Sequence, residues 1–330
     1  MNWRVFSLPT LVSLALAAAF LVFMVVRFDV DLPSVWDQAK GSNPLYLALA
    51  VIVHYTTFIF RGARWRLLLQ NAQSDDSQVP GVLYCSQLTL LGWFANSVAW
   101  FRLGDAYRAY LYQTEQDAFF SRTIGTILSE RVLDTILVVL LLLVSVPFLW
   151  NSGGRAYLTV LGIAAVLLTL MALILLVVVV TRGRLVRWLP TWLAERYQRF
   201  QEGVIGSFGQ VPLVTLWGLL GWLVEAQRLY LVTLFLGVDV NIAVIVVISV
   251  ANSLLTLVPT PGGVGAVESG VAGLLVKLSS LSANAAAALV LVDRTITYIS
   301  IIFVGAILFV SRQVRSNRRD IVGNQMAAED

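Results

Sequence analysis

The chain has 330 residues, of which 58% are hydrophobic and only 13% are charged, whereas an ordinary soluble domain carries about 25% charged residues. Its net charge is +4, and it contains one cysteine, Cys85, and one histidine, His54. This composition excludes an intrachain disulfide and a His/Cys metal cluster, and no basic domain for nucleic acid is visible. We therefore predict an all-α integral membrane protein with no metal and no cofactor.

Several apolar runs reach the roughly 20 residues that an α-helix needs to cross a bilayer. The runs predicted to cross it fully number about six and are 8–26, 45–60, 122–149, 156–180, 212–236 and 284–310. The first is longer than the apolar core of a signal peptide, so we expect it to be retained. The arginine-rich stretch 182–210 predicts an amphipathic helix in the interface. Residues 1–310 then form one polytopic domain, and the polar tail 311–330 is predicted to be disordered.

Two further apolar segments are interrupted by turn residues. Residues 79–117 are predicted to enter the membrane, turn near Asn96–Gly104 and return. This arrangement places most flanking arginines, including those of the run 61–66, on the cytoplasmic side together with both termini. Residues 241–278 contain two prolines and three glycines midway, which favours a second re-entrant hairpin. The alternative that this segment crosses the membrane fully twice is not excluded by the sequence. Broken backbone at this depth is tolerated only where it is buried in protein or faces water.

The two halves, about 1–150 and 156–310, each contain two spans, a broken hairpin and a third span. Three crossings are an odd number, so the second half would be inverted relative to the first. Matching motifs occur in the same order in both halves, and they are Ala95-Asn96-Ser97 with Ala251-Asn252-Ser253, and Glu130-Arg131 with Asp293-Arg294. Paired broken segments in two inverted halves indicate a transporter site near the membrane midplane.

Charged residues beside the two breaks lie deep within their predicted helices. A bare charge there costs at least about 2.5–3.5 kcal/mol, so it must pair or face water. We predict a polar substrate cavity formed by Asn96, Arg102, Asp105, Arg108, Glu130, Arg131, Asp134, Asn252, Gly262, Gly263, Glu268, Asp293 and Arg294. Arginine is suited to phosphate, and a helix starting after Gly263 would offer N–H groups to an anion, unless Glu268 satisfies them. Structural ion pairs are the alternative for the whole set, and for the i,i+3 pair Glu225 and Arg228 the two interpretations are equally open.

Five motifs occur in order along the chain, and they are Arg64-Trp-Arg66-Leu-Leu-Leu, Arg102-Leu-Gly-Asp105-Ala-Tyr-Arg108, Glu130-Arg-Val-Leu-Asp134, Pro259-Thr-Pro-Gly-Gly-Val-Gly265 with Glu268, and Asp293-Arg294. In this order, over residues 8–310, they resemble the flippase-like membrane family. That family is the transmembrane region of lysylphosphatidylglycerol synthetases (multiple peptide resistance factor) and its free-standing relatives. The resemblance implies translocation of a phospholipid or lipid-linked glycan across a prokaryotic cytoplasmic membrane, without the synthetase domain that makes the aminoacyl lipid. Asp105 departs from the family pattern, in which we would expect Glu.

The leading hypothesis is therefore a lipid translocator that binds anionic or lipid-linked head groups. A second hypothesis is a scaffold or regulator of a lipid- or glycolipid-synthesising enzyme. A third is a membrane-embedded head-group enzyme with Glu130 or Asp134 as base, for which no metal motif, histidine pair or serine nucleophile elbow is present. The sequence has no ATP-binding loop, so transport would be passive or ion-coupled. The identity of the lipid, the direction of transport and the oligomeric state, a homo-oligomer included, stay open.

Overall fold

A computed structural model describes residues 42–73, 78–149, 154–181 and 189–329, and within these ranges the chain forms helices and turns without a strand. The predicted all-α class is confirmed, and the predicted span 8–26 lies outside the described residues. The α-helices of these ranges are α1 (Pro44–Ala72), α2 (Val82–Val98), α3 (Gly104–Gln116), α4 (Phe120–Leu149), α5 (Gly154–Val180), α6 (Thr191–Gly206), α7 (Val211–Leu236), α8 (Ile242–Leu255), α9 (Ala266–Ser279), α10 (Ala283–Arg294) and α11 (Ser300–Glu329).

Four helical stretches in the described ranges are long and apolar enough to cross a membrane, namely Pro44–Ala72, Leu158–Val180, Thr191–Leu236 and Ala283–Val314. They contain four of the predicted spans. The third stretch joins α6 to α7 through a short 3-10 turn, Ser207–Gln210. Length and composition therefore support a multi-pass arrangement of these helices.

Helix α1 continues through the basic run 61–66, where we predicted the span to end at the cytoplasmic surface. Arg61 and Arg64 are buried inside the helix bundle, because carboxylates of other helices neutralise them there. The helix continues because leucines follow the run, and Leu68 and Leu69 are buried as well. These two arginines are therefore part of the interior and not a surface topology signal.

Helices α2 and α3 form a hairpin, as predicted for residues 79–117. The side-chain oxygen of Asn96, near the end of α2, accepts a hydrogen bond from the backbone N–H of Gly104 at 2.8 Å. At the other end of the hairpin, the hydroxyl of Tyr84 donates to Glu115 at 2.8 Å. The two arms are about 25 Å and 20 Å long at 1.5 Å per residue, which is shorter than a ~30 Å hydrocarbon core.

Helices α8 and α9 form the second hairpin, joined through the 3-10 turn Pro261–Gly263. Gly262 has φ +59°, and a Cβ added there would lie 2.1 Å from the ring of Tyr298. Only glycine suits a position that combines a left-handed backbone with this close approach. The proline-glycine break thus produces the turn that the sequence predicts.

The last predicted span is divided by a π-helical turn, Thr295–Ile299, directly after Asp293-Arg294. Such turns occur frequently at functional sites. Helix α11 then continues to Glu329, and the disorder predicted for the tail 311–330 stays a prediction.

Of the amphipathic helix predicted in 182–210, residues 182–188 lie outside the described residues, and the described part contains α6, which packs tightly against α4. A Cβ at Gly203 would lie 2.1 Å from the carbonyl oxygen of Arg122. Arg122 also forms an ion pair with Glu202 at 2.8 Å. This helix is therefore fastened to the bundle by small residues and one ion pair.

The hairpin of α2 and α3 depends on the absence of a side chain at Gly104, where a Cβ would lie 1.9 Å from the carbonyl oxygen of Gly92. We expect Gly104→Ala to lower stability by about 1–3 kcal/mol, the usual cost of overpacking. The thermal unfolding temperature of the purified protein in detergent measures this effect. Gly162→Ala is the matched control, because a Cβ there meets nothing within 4 Å. Equal unfolding temperatures for the two variants would contradict the close packing of the hairpin.

Candidate functional site

The turns of the two hairpins meet inside the bundle. Arg102, in the turn of the first hairpin, donates from Nη1 to the hydroxyl of Thr256 in the second at 2.9 Å. The hydroxyl of Tyr298, in the π-helical turn, donates to the carbonyl oxygen of Ser97 at 3.0 Å. A cavity of about 360 Å³ lies beside these contacts, within the roughly 300–1,000 Å³ typical of ligand sites. Its walls come from both halves of the chain.

Positive charge predominates in the cavity wall. Two carboxylates line it, Asp134 and Glu225, against five arginines. These arginines are Arg61, Arg102, Arg131, Arg228 and Arg294. Guanidinium groups are good ligands for phosphate and carboxylate, so the wall is suited to an anionic group.

The structure divides the thirteen predicted site residues into two sets. Those that line the cavity are Asn96, Arg102, Arg131, Asp134, Asn252, Gly262 and Arg294. The others, which are not part of its wall, are Asp105, Arg108, Glu130, Gly263, Glu268 and Asp293. Most of this second set are charged residues that pair with arginines of the site, so they position the wall and do not form it.

Glu130 is the centre of the first ion-pair network. It is almost fully buried, and its two oxygens bind two arginines, Arg64 at 2.9 Å and Arg108 at 2.8 Å. Arg64 also contacts Asp134 at 2.6 Å. Asp134 lies one helical turn after Glu130, so both carboxylates of α4 face α1, as their i,i+4 spacing predicts.

Arg131 is held at the edge of the cavity by Asp105. Its Nε and Nη2 donate to the two oxygens of Asp105 at 3.1 Å and 3.0 Å, which is the bidentate geometry that arginine favours. A weaker contact to Asp134 spans 3.4 Å, as the local cluster predicts. The side chain of Arg131 is 33% exposed. It can therefore contact a ligand while Asp105 neutralises its charge.

Arg294 is the corresponding arginine of the second half. Its Nε donates to Glu268 at 2.7 Å and its Nη2 to the carbonyl oxygen of Gly262 at 2.8 Å. Glu268 also accepts the backbone N–H of Gly265 at 2.5 Å. This carboxylate caps α9 itself, so the helix start after Gly263 does not present that N–H group to a ligand.

Glu225 and Arg228 do not pair with each other, although their spacing allows it. Glu225 binds Arg61 of α1 at 2.5 Å, and Arg228 forms an ion pair with Asp293 of α10. Both residues of this helix α7 also line the cavity. The pair that the sequence left undecided therefore connects α7 to two other helices at the site.

Arg102 differs from the other arginines of the wall, because no carboxylate of the described ranges lies within ion-pair distance of it. Its backbone has φ +51°, and its neighbour Phe101 has φ +63°. A left-handed backbone in residues other than glycine is strained, and such strain clusters at functional sites. Within the described residues, the turn of the first hairpin thus presents a cation that forms no ion pair.

Four charged residues of the site were not among the predicted thirteen: Arg61, Arg64, Glu225 and Arg228. The signal for the first two was the apolar sequence Leu67-Leu68-Leu69 after the basic run, which indicates that the helix continues. For His54 and Trp222, which also line the cavity, the sequence offered no signal beyond their type. His54 is buried, and its ring packs against Tyr55 and Phe58.

Comparison with known proteins places this site in a family. The family described as the lysylphosphatidylglycerol synthase transmembrane region matches residues 10–305. The chain belongs to this family. This result confirms the resemblance based on the motifs, and with the four long apolar helices it identifies a multi-pass integral membrane protein.

The relatives include membrane proteins of archaea. A UPF0104 membrane protein of Methanocaldococcus jannaschii is 29% identical over 218 residues, which cover 66% of this chain and 93% of that one. A UPF0104 membrane protein of Methanothermobacter thermautotrophicus is 22% identical over 312 residues, covering 86% and 91%. Glycosyltransferase AglD of Haloferax volcanii is 24% identical over 324 residues, covering 84% of this chain but 50% of that protein.

The network around Glu130 makes a prediction about stability. Glu130→Gln removes the charge that neutralises Arg64 and Arg108, and breaking a buried ion pair costs about 3–5 kcal/mol. We expect a clear drop in the thermal unfolding temperature in detergent. Glu195→Gln, an exposed residue of α6, is the matched control and should leave the temperature unchanged. A Glu130→Gln protein as stable as the control would show that this network does not stabilise the fold.

Proposed function

We propose that this membrane protein translocates a lipid with a phosphate-containing head group across the prokaryotic cytoplasmic membrane. The observation that carries the proposal is the cavity between the two hairpin turns, with five arginines and two carboxylates in its wall. A cavity of this charge inside an apolar bundle offers the head group the interactions that it loses on leaving water. Membership of a family named for a phospholipid synthase supports a lipid as the substrate.

Arg102 and Arg131 are the proposed phosphate ligands. Arg102 has no acidic partner in the described ranges, and Arg131 is partly exposed, so both have donors for a ligand. A phosphate held by two guanidinium groups makes charge-assisted hydrogen bonds, each worth about 1.5–3 kcal/mol. Arg294, which the second half contributes to the wall, would take part as the head group moves between the two halves.

The two hairpins are proposed to be re-entrant and to form the moving parts. Their arms are shorter than the hydrocarbon core, and their turns are joined to each other and to the π-helical turn by few hydrogen bonds, such as Arg102–Thr256 and Tyr298–Ser97. Two inverted halves of three full spans each would then expose the cavity alternately to each leaflet. This topology has six full spans and both termini in the cytoplasm. Transport would be passive or ion-coupled.

A second function, anchoring or regulating an enzyme that makes lipids or glycolipids, is favoured by one comparison. The chain matches about half the length of a Haloferax volcanii protein named as a glycosyltransferase. That name suggests that membrane units of this kind occur together with an enzymatic part. A scaffold of this type would bind its partner whether or not the cavity arginines are present, and this distinguishes it from the translocator.

Reconstituted vesicles test the translocator. The purified protein is placed in liposomes that contain a fluorescent phosphatidylglycerol, and dithionite then destroys the fluorescence of the outer leaflet. Protein-free vesicles keep the signal of the inner leaflet, whereas vesicles with active protein lose it over time. We expect Arg102→Ala to slow this loss by about tenfold or more, because one charge-assisted hydrogen bond is removed.

Arg102→Ala is suited to this test because it leaves no carboxylate without its ion-pair partner, so folding should be preserved. Arg196→Ala, an exposed arginine of α6, is the matched control with the same loss of charge outside the cavity. The control should behave as the wild type does. Equal rates for Arg102→Ala and Arg196→Ala, both faster than in protein-free vesicles, would refute the proposal, and absence of translocation by the wild type would exclude phosphatidylglycerol as the lipid.

A further inference from the structure

Besides the Nε atoms of Arg61 and Arg228, the cavity wall has three uncharged side chains with buried polar atoms that have no hydrogen-bond partner among the described protein atoms. They are both ring nitrogens of His54, the indole Nε1 of Trp222 and the side-chain oxygen of Asn252. His54 is 1% exposed and Trp222 is 4% exposed. Buried polar atoms in proteins are nearly always hydrogen-bonded, so a concentration of unpaired ones in a single cavity indicates the place where a ligand supplies the partner.

These atoms lie where the charges are already neutralised. The guanidinium group of Arg61 is 5.9 Å from the ring centre of Trp222, and it is paired with Glu225. Arg228 lines the cavity, borders a second, small pocket together with Asn252, and is paired with Asp293. We use the name neutral end for the set of uncharged side chains His54, Trp222 and Asn252. The unpaired atoms of the neutral end need uncharged hydrogen-bonding partners. The turn of the first hairpin differs, because Arg102 there needs an anion.

The donors and acceptors of the neutral end define the chemistry that fits it. A neutral imidazole has one donor and one acceptor, the indole N–H only donates, and an amide oxygen only accepts. A hydroxyl group both donates and accepts, so it can satisfy every one of these atoms. An ammonium group only donates, so it cannot serve the N–H groups of the indole and the imidazole, and a quaternary ammonium cannot donate at all. A phosphate oxygen only accepts, and the guanidinium groups of the arginines are stronger donors to it.

We infer that the neutral end binds hydroxyl groups of the head group, so that the substrate is a phosphate lipid with a polyhydroxylated head group. Glycerol, inositol and a sugar share this chemistry. The inference rests on the proposed function, since it assigns the substrate class of the same cavity. Sites built to hydrogen-bond a hydroxyl strongly reject the analogue that lacks it, because their own polar groups are then left unpaired.

Lipid competition on the full-length protein in detergent tests this inference, with retained lipids identified by native mass spectrometry. The mixture contains phosphatidic acid, phosphatidylethanolamine, phosphatidylglycerol, phosphatidylinositol and a polyprenyl-phosphate hexose. We expect at least one of the three hydroxyl-bearing lipids to be retained about tenfold or more over phosphatidic acid. Which of the three is preferred distinguishes a glycerol, an inositol and a polyprenyl-linked sugar as the head group. Preference for phosphatidylethanolamine would overturn the inference.

Variants connect the preference to the neutral end. Trp222→Phe and Asn252→Leu each remove one hydrogen bond, so the ratio of hydroxyl-bearing lipid to phosphatidic acid should fall roughly three- to tenfold. Trp217→Phe, in which the lost indole belongs to a ring that packs on Phe60 of α1, is the matched control and should keep the ratio. If one of the cavity variants does not fold, the other variant and the wild-type ratio still decide the question.

Arg102→Ala separates this inference from the proposed function. It should lower the retention of every phosphate lipid and leave the ratio unchanged. Phosphate lipids could be retained through Arg102 with no advantage for those that carry hydroxyl groups. That result would overturn the inference that the neutral end binds hydroxyl groups, and it would leave the proposed function unaffected. Retained lipids that show no preference for phosphate would count against the proposed function itself.

Discussion

Charge buried inside an apolar helix bundle must be neutralised, and the arrangement of this protein follows from that requirement. Six carboxylates and seven arginines surround the cavity or stand directly behind its wall. They are Asp105, Glu130, Asp134, Glu225, Glu268 and Asp293, with Arg61, Arg64, Arg102, Arg108, Arg131, Arg228 and Arg294. The short contacts mostly join different helices, so they determine which helix faces which. Burying such pairs adds little net stability, but breaking one leaves an unpaired charge and is costly.

The pairing also decides what the cavity can bind. Each of the six acids forms an ion pair with at least one arginine, and the arginines of the wall keep further guanidinium donors for a ligand. The remaining positive charge is carried by Arg102, on a strained turn where the two hairpins meet. The cavity wall thus combines a cation that favours an anion, Arg102, with the uncharged side chains of the neutral end, which favour neutral hydroxyl groups. A head group with phosphate and hydroxyls would satisfy both at once.

Much of the fold was accessible from the sequence, because its signals are local. A run of about 20 apolar residues needs no knowledge of its neighbours to be assigned to a helix, and the glycines and prolines near residues 104 and 262 mark turns by their own backbone preferences. The hairpins were predicted in this way. The acidic and basic residues beside them were selected as site residues because an unpaired charge at that depth costs free energy, so such residues pair or face water. The continuation of α1 through Arg61 and Arg64 was missed, since a basic run after an apolar one is normally a membrane boundary.

The sequence by itself therefore determined the membrane class, the helical segments, the two broken hairpins and most of the charged residues of the site. Only the tertiary structure decided which charges pair, because partners such as Arg61 and Glu225 are 164 residues apart and nothing local relates them. For the same reason it decided that Arg102 faces the cavity without an acid while Arg108 lies behind it on Glu130. Side-chain direction on a helix depends on the helices packed around it, and the position of the cavity follows from that packing.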